Sequence, residues 1–299
     1  MIRVANAPVS WGVLEFEGTE GRAGYSLVLD QIRETGYTGT ELGDWGFLPT
    51  DPTELRNELG SRQLALLGAF VPVALADPRS QAAGREAALR VARLMVQAVG
   101  DQPFIVLADD NGRVPLRMQN AGRIRPEHGL SDDSWQTFGE GAVRLAESVR
   151  RETGLRTVFH HHCAGYVETP GELDRLLDLT DPDVLGLCLD TGHYRFGGGD
   201  PAEAVRKHAG RIWHVHFKDY EPTLAARSRE LGWDYLESVR QGVFCELGRG
   251  EVDFPGVLAG LEQSGYQGWI VVEQDVLPGM GTPKDSARRN REYLASIGL

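Results

Sequence analysis

The sequence predicts an α/β protein closed into a (β/α)8 barrel, on three observations. Short β-branched or apolar runs alternate with helical patterns eight times along the chain, and such alternation means parallel strands joined by crossover helices. The 299 residues suit eight such units in one domain, since barrels of this kind routinely reach about 250 residues. The connections are also asymmetric. Helix-to-strand turns are short and carry glycine (Gly36 to Gly39, Gly154, Gly265 to Gly268), whereas strand-to-helix segments are longer.

Taken in order, the apolar run at 3–7 is the first strand and the pattern at 25–34 its helix. The pairs that follow are 40–42 with 53–62, 64–69 with 81–99, and 104–107 with 132–152. The second half repeats the scheme: 157–162 with 172–179, 184–190 with 202–208, 212–218 with 254–263, and 269–273 with 285–296. Three helix starts share one design: Asp51-Pro52-Thr53-Glu54, Thr169-Pro170-Gly171-Glu172 and Asp200-Pro201-Ala202-Glu203. An Asp or Thr N-cap, Pro at the first helical position and Glu at the third together predict capping boxes. Two strand-to-helix segments, 108–131 and 220–253, show no clear regular pattern. Long segments of this kind are usually functional, so they are candidates for a lid or an interface, or else solvated decoration.

Composition narrows the function. Lys and Arg number 31 against 43 Asp and Glu, a net charge of −12. With no basic run, that opposes general nucleic-acid binding. No stretch approaches the roughly 18 apolar residues of a membrane span. The opening MIRVANAPVSWG lacks a basic and then apolar signal pattern, so a cytoplasmic protein is expected. Cys163, Cys188 and Cys245 form no C-x-x-C pair and suit a reducing compartment.

Ionisable side chains gather at the carboxyl ends of the last four strands. Strand five ends His160-His161-His162, strand six ends at Asp190 with His193 just beyond, strand seven carries His214, His216 and Lys218, and strand eight ends at Glu273. Alternation puts His160 with His162, and His214 with His216 and Lys218, on interior faces, because Phe159, Val215 and Phe217 between them suit burial under helices. His160, Asp190, His216 and Glu273 therefore end four consecutive strands on one interior. Two imidazoles and two carboxylates suit a divalent ion such as Mn²⁺, Co²⁺, Fe²⁺ or Zn²⁺. The alternative is a cluster bonded only to itself and backbone, which must compensate buried charge at several kcal/mol each.

Other candidates carry two readings each. Lys218, one of three lysines, either contacts substrate as an acid or base with a pKa lowered by burial, or pairs with Asp219 or Glu273. Glu41 reaches the pocket from the opposite wall, or makes a structural bond. Trp11 stacks on a ring-shaped ligand, or fills space. His214, one layer below His216, reads as support, and His161 as packing. Arg249 and Glu251 fit contacts at the rim.

The motifs NAPVSWG, GYTGTELG, FHHHCAGYVET, LDTGHYRFGGGDP, HVHFKD, ELGRGEVDF and VVEQD, in that order across nearly the whole chain, resemble the xylose-isomerase-like TIM-barrel family of sugar phosphate isomerases and epimerases. Within it the chain is most similar to the inosose dehydratase branch. The resemblance implies metal ligands at His160, Asp190, His216 and Glu273. Strand five departs from the family's usual Glu, which leaves His160, or His162 two residues on, as its contribution. His162 and His193 are then expected near substrate.

The implied activity is dehydration of a cyclic polyol ketone by a hydro-lyase using Mn²⁺ or Co²⁺, with Mg²⁺, Fe²⁺ and Zn²⁺ as further options. A base drawn from His162, His193, Lys218 and Glu273 removes the α proton, and the β hydroxyl leaves from an enediolate. Trp11, Glu41, Arg249 and Glu251 are the substrate-contact candidates. Three other readings remain: a metal-dependent ketose isomerase or epimerase, a Schiff-base lyase on Lys218, and a sugar-binding barrel without catalysis. The implied partner is a small polyol or keto-sugar, with neither nucleic acid nor membrane, and the family's common dimers and tetramers imply a homo-oligomer.

Overall fold

A computed structural model of the chain describes residues 2–13, 23–100, 103–277 and 280–299. Its first half runs β1 (Arg3–Asn6), α1 (Tyr25–Glu34), β2 (Gly39–Thr40), α2 (Pro52–Ser61), β3 (Ala65–Leu66), β4 (Gly68–Val73), α3 (Pro78–Val99), β5 (Phe104–Asp109), α4 (Pro115–Gln119) and α5 (Asp132–Thr153). The second half runs β6 (Arg156–His160), α6 (Pro170–Asp178), β7 (Leu185–Asp190), α7 (Thr191–Phe196), α8 (Pro201–His208), β8 (Ile212–Phe217), β9 (Asp219–Tyr220), α9 (Pro222–Leu231), α10 (Tyr235–Arg240), β10 (Phe244–Cys245), α11 (Phe254–Gln263), β11 (Trp269–Val272) and α12 (Pro283–Ser296). Among the described residues, no helix is long and apolar enough to cross a membrane.

Seven strands form one parallel sheet in the order β1-β11-β8-β7-β6-β5-β4, and β2 pairs with β3. Backbone bonds across the seams complete the ring. Thr38 N–H reaches Val4 O at 3.3 Å, Leu42 N–H reaches Gly68 O at 2.9 Å, and Phe104 N–H reaches Leu67 O at 2.8 Å. The eight expected strands are therefore present as a barrel, with 64–69 realised as the β3–β4 pair extended to Val73.

The caps follow the sequence with one physical correction. Asp51 Oδ1 accepts from the amides of Thr53 and Glu54, both at 2.9 Å, and Asp200 Oδ1 accepts from Glu203 N at 3.0 Å. Of these three starts, the reciprocal capping box closes at Thr169–Glu172. Thr169 is neutral, so its Glu partner folds back freely, whereas an Asp cap repels a second carboxylate at the same spot. The helix expected from 81 begins earlier, at Pro78, behind another Asp-Pro step: Asp77 Oδ1 accepts from Arg79 N at 3.0 Å.

The two long segments are not structureless. Residues 108–131 hold α4 and a 3-10 turn at Pro126–His128. Residues 220–253 hold α9, α10 and β10, which pairs antiparallel with β9.

The register of β8 against β7 slips once. Leu187 opposes Ile212, but Cys188 opposes His214, leaving Trp213 as an extra residue. Such a bulge aims two successive side chains at one face. Ile212, Val215 and Phe217 pack outward under the helices. Trp213 packs inside with Val106, Val158 and Cys188. Gly186 of β7 makes the room, since a Cβ there would lie 2.2 Å from the Trp213 ring. Trp213 and Trp269 fill the amino-terminal floor, each covered by a guanidinium: Arg156 at 3.4 Å and Arg3 at 4.0 Å from the ring centroid. The floor is thus a closed apolar layer, and the polar residues stand above it.

Candidate active site

Above the bulge, β8 presents His214, His216 and Lys218 to the interior, and each is essentially buried. Glu41, just past β2, crosses the barrel to meet them. Its Oε1 lies 2.7 Å from His214 Nε2 and 3.1 Å from His216 Nε2. Burial pushes the Glu41 carboxyl up, but His216 and His214 outweigh it and hold it near about 2. Glu41 is therefore an anion that accepts from Nε2 of His216, which leaves Nδ1 of that ring as the nitrogen that can donate a lone pair. Metal-bound histidines are commonly oriented in this way by a carboxylate behind them.

His216 Nδ1 faces Glu273 Oε1 at 3.2 Å, and His160 Nε2 stands 3.6 Å from Asp190 Oδ2. Single ligand atoms of His160, Asp190, His216 and Glu273 lie within 4.8 Å of one another. Among the described residues, both ring nitrogens of His160, Oδ2 of Asp190 and Nδ1 of His216 are buried with no hydrogen-bond partner. Buried polar atoms are nearly always satisfied. One such atom each from His160, Asp190 and His216, gathered with an oxygen of Glu273, therefore fits a divalent cation, as does the donor set of imidazole and carboxylate. Asp190 is fixed for the purpose, because its Oδ1 caps α7 by accepting from His193 N at 2.8 Å.

Lys218 belongs to the same cluster and takes the ion-pair role, the second of its two expected readings. Its ammonium contacts Asp275 Oδ1 directly and lies 3.4 Å from Glu273 Oε2. Burial would lower its pKa, yet Asp275, Glu273 and Asp190 outweigh burial and raise it. Lys218 is thus a fixed cation rather than an amine poised for nucleophilic attack. Its expected partner Asp219 is instead spent on the backbone, accepting from the amides of Tyr220, Gly248, Gly250 and Val252.

His162 follows β6 and lines the cavity. Its Nδ1 lies 2.5 Å from the Cys163 carbonyl. A carbonyl can only accept, so Nδ1 carries the hydrogen and Nε2 is the acceptor nitrogen. Burial, reinforced by His160 and Lys218, lowers its pKa to about 3 and keeps the ring neutral. His193 lies behind it with ring centroids 3.8 Å apart, buried, its two nitrogens without a hydrogen-bond partner among the described residues. A second trio, His162, His193 and Asp275, is also compact, but Asp275 already balances the Lys218 ammonium.

A cavity opens over these groups. Its lining is partly apolar, with Ala7, Pro8, Val9, Val13 and Phe70, and partly polar, with Glu41, Asp44, His160, His162, Tyr235, Glu273 and Asp275. Trp11 is not among the lining residues. It is buried and donates from Nε1 to Gln31 Oε1 at 2.7 Å, a core role. Arg249 and Glu251 do not line it either. They form surface pairs, Arg249 with Glu246 at 3.1 Å and Glu251 with Arg195 at 2.6 Å.

Three polar lining residues escaped the sequence analysis: Asp44, Asp275 and Tyr235. Asp275 shares the parity of Glu273 in VVEQD, a signal available but unused. Tyr235 begins α10 behind the Asp234 cap, and an Asp-x-x-Glu step could have revealed that helix but not where its first side chain points.

A model of the xylose isomerase-like TIM barrel matches residues 29–297. An inosose dehydratase of Lacticaseibacillus casei is 30% identical over 98% of this chain and 96% of its own length. The rhizopine catabolism protein MocC of Rhizobium meliloti is 34% identical over 99% of this chain and 88% of its own. Among solved structures, the probable 3-DHS dehydratase AsbF of Bacillus anthracis superposes with a TM-score of 0.72 at 14% identity, covering 99% of each chain.

Proposed function

The chain belongs to the xylose isomerase-like TIM barrel family, and from that premise we propose that it is a metal-dependent hydro-lyase that dehydrates a cyclic polyol ketone of the inosose type. The relatives named above that are dehydratases make it an enzyme of lyase type. The observation that supports the metal is the convergence of orphaned donor atoms of His160, Asp190 and His216 with a carboxylate oxygen of Glu273. A divalent ion held there, Mn²⁺ or Co²⁺ by its mixed nitrogen and oxygen donors, would act as a Lewis acid on a ketone oxygen and acidify the neighbouring C–H.

The protein's own groups do the rest. Glu41 fixes the tautomer of His216. His162 presents Nε2 to the cavity as a neutral base, and it is the α-proton acceptor in this reading. The apolar lining of Pro8, Val9 and Phe70 suits the C–H groups of a ring, while the polar lining offers acceptors to its hydroxyls. The charge of the site favours a neutral substrate. Among the described residues no arginine lines the cavity, and the Lys218 ammonium is already matched by carboxylates. Apart from the metal, a carboxylate-bearing ketone would meet Glu41, Glu273 and Asp275 with no cationic side chain among the described lining residues to offset them.

The test is elemental analysis, followed by incubation of apo and Mn²⁺- or Co²⁺-loaded protein with scyllo-inosose (2-keto-myo-inositol) while the ultraviolet absorbance of a diketone is followed. Near-stoichiometric metal and a metal-dependent diketone are expected. Bound metal without diketone would redirect the assignment to ketose epimerisation, read by chromatography of the recovered sugar. Absence of metal binding would overturn the reading.

A further inference from the structure

We propose that Tyr235 is the general acid that gives its phenolic proton to the departing hydroxyl, and that Asp275 is the positioning residue that holds that phenol in place. The assignment rests on the dehydration reading above, and it supplies the acid that reading lacks.

Elimination of water needs a base for the α proton and a proton donor for the leaving oxygen. The cavity is rich in acceptors and poor in donors. Glu41 Oε1 faces Nε2 of both His214 and His216, and Glu273 stands between His216 and the Lys218 ammonium. His162 has committed its Nδ1 hydrogen to Cys163 O. The Lys218 ammonium is not among the lining groups and points to Asp275 and Glu273. Among the described lining residues, Tyr235 carries the only hydroxyl.

That hydroxyl is held from both sides. It donates to Asp275 Oδ2 at 2.9 Å, while Oδ1 of the same carboxylate takes the Lys218 ammonium. It also lies 3.4 Å from His162 Nε2. Base and acid therefore face one edge of the cavity at a separation that spans two neighbouring carbons of a ring. Tyr235 reaches this point because α10, in the segment between β8 and β11, lies over the mouth, and its ring packs 5.4 Å from that of His162.

The proton account closes. His162 Nε2 takes the α proton, and the C–H electron pair moves toward the ketone. That pair then forms the new C=C bond as the β C–O bond breaks, and the departing oxygen keeps the C–O pair, takes the Tyr235 proton as that hydroxyl turns from Asp275 Oδ2, and leaves as water. The site now holds an imidazolium and a phenolate 3.4 Å apart. Transfer of the Nε2 proton to the phenolate restores both groups without a proton from solvent.

The experiment is Tyr235→Phe in the metal-loaded protein, with metal content and melting temperature measured beside the wild type. Two rates are read in D2O by proton NMR: loss of the inosose to dehydrated product, and entry of deuterium at its α carbon. The acid role predicts dehydration slowed about 100- to 1,000-fold, while α-deuterium enters recovered ketone within about tenfold of wild-type turnover. Asp275→Asn should shift the same partition toward exchange, to a smaller degree. Dehydration by Tyr235→Phe within about threefold of wild type, or parallel loss of exchange and dehydration with metal content intact, would overturn the assignment. A wild-type protein that binds metal but neither exchanges nor dehydrates the ketone would fail the dehydration reading itself, and the acid role would fall with it.

Discussion

His160 and His162 sit two residues apart on one strand end, and the structure divides their labour. His160 has both ring nitrogens orphaned beside Asp190 and His216, whereas His162 lines the cavity with one nitrogen already spent. His160→Ala should therefore purify with clearly less than one metal per chain by elemental analysis. His162→Ala should keep its metal and lose at least about 100-fold in dehydration rate. Glu41→Gln keeps an acceptor for the two imidazoles but removes the charge behind them. Metal affinity should fall about 10- to 100-fold by competitive chelator titration, with the fold retained. At this scale the sequence was informative where alternation holds: His160, Asp190, His216 and Glu273 converge as parity implies. It was uninformative where a side chain crosses the barrel. The meeting of Glu41 with His214 and His216, more than 170 residues away in sequence, depends on ring closure that no local pattern encodes. For the same reason Lys218 found Asp275 rather than its chain neighbour Asp219.

The strands and long helices were legible as elements because each is long enough to show its period, and because Asp-Pro and Thr-Pro steps announce helix starts. The short helices and the ribbon of 220–253 were not, although one of them delivers Tyr235. The slip in β8 was equally hidden, since a bulge adds one residue without changing the apolar pattern on either side. Its partner in β7 carries the signature instead. Gly186→Ala would drive a methyl into the Trp213 ring. We expect it to destabilise the protein by about 1–3 kcal/mol, measured by urea denaturation, because an overpacked floor must shift ring or strand.

Across the whole molecule, stability is tied to pH through the loop that follows β6. Glu168 accepts from the amides of Gly122 at 2.7 Å and Ala164 at 2.8 Å, and Asp109 from those of Asp110 and Tyr166, both at 2.9 Å. Ala164 is held there at a φ of +71°, a left-handed conformation that costs an alanine energy. Burial raises Glu168 to about 7 and Asp109 to about 6. Both values lie above those of the unfolded chain, so the folded protein binds these protons more tightly. The stability they contribute is complete below about pH 4 and is lost as pH rises through about 6 and 7, roughly 3 kcal/mol each. The melting temperature should accordingly decline between about pH 4 and pH 7 on this account. Glu168→Gln should flatten the decline while lowering the melting temperature overall, since one amide oxygen replaces two acceptors. An unchanged slope would refute the attribution.

The extra residue in β8 has a consequence for anyone who would transplant this site. With Trp213 and His214 both turned inward, one strand supplies the plug of the floor and the support for Glu41 in successive positions. A regular strand of the same length would have to choose between them. A designed barrel with idealised strands could accept all four candidate ligands in the right places and still leave the carboxylate behind His216 without its second imidazole. The irregularity would have to be copied along with the ligands.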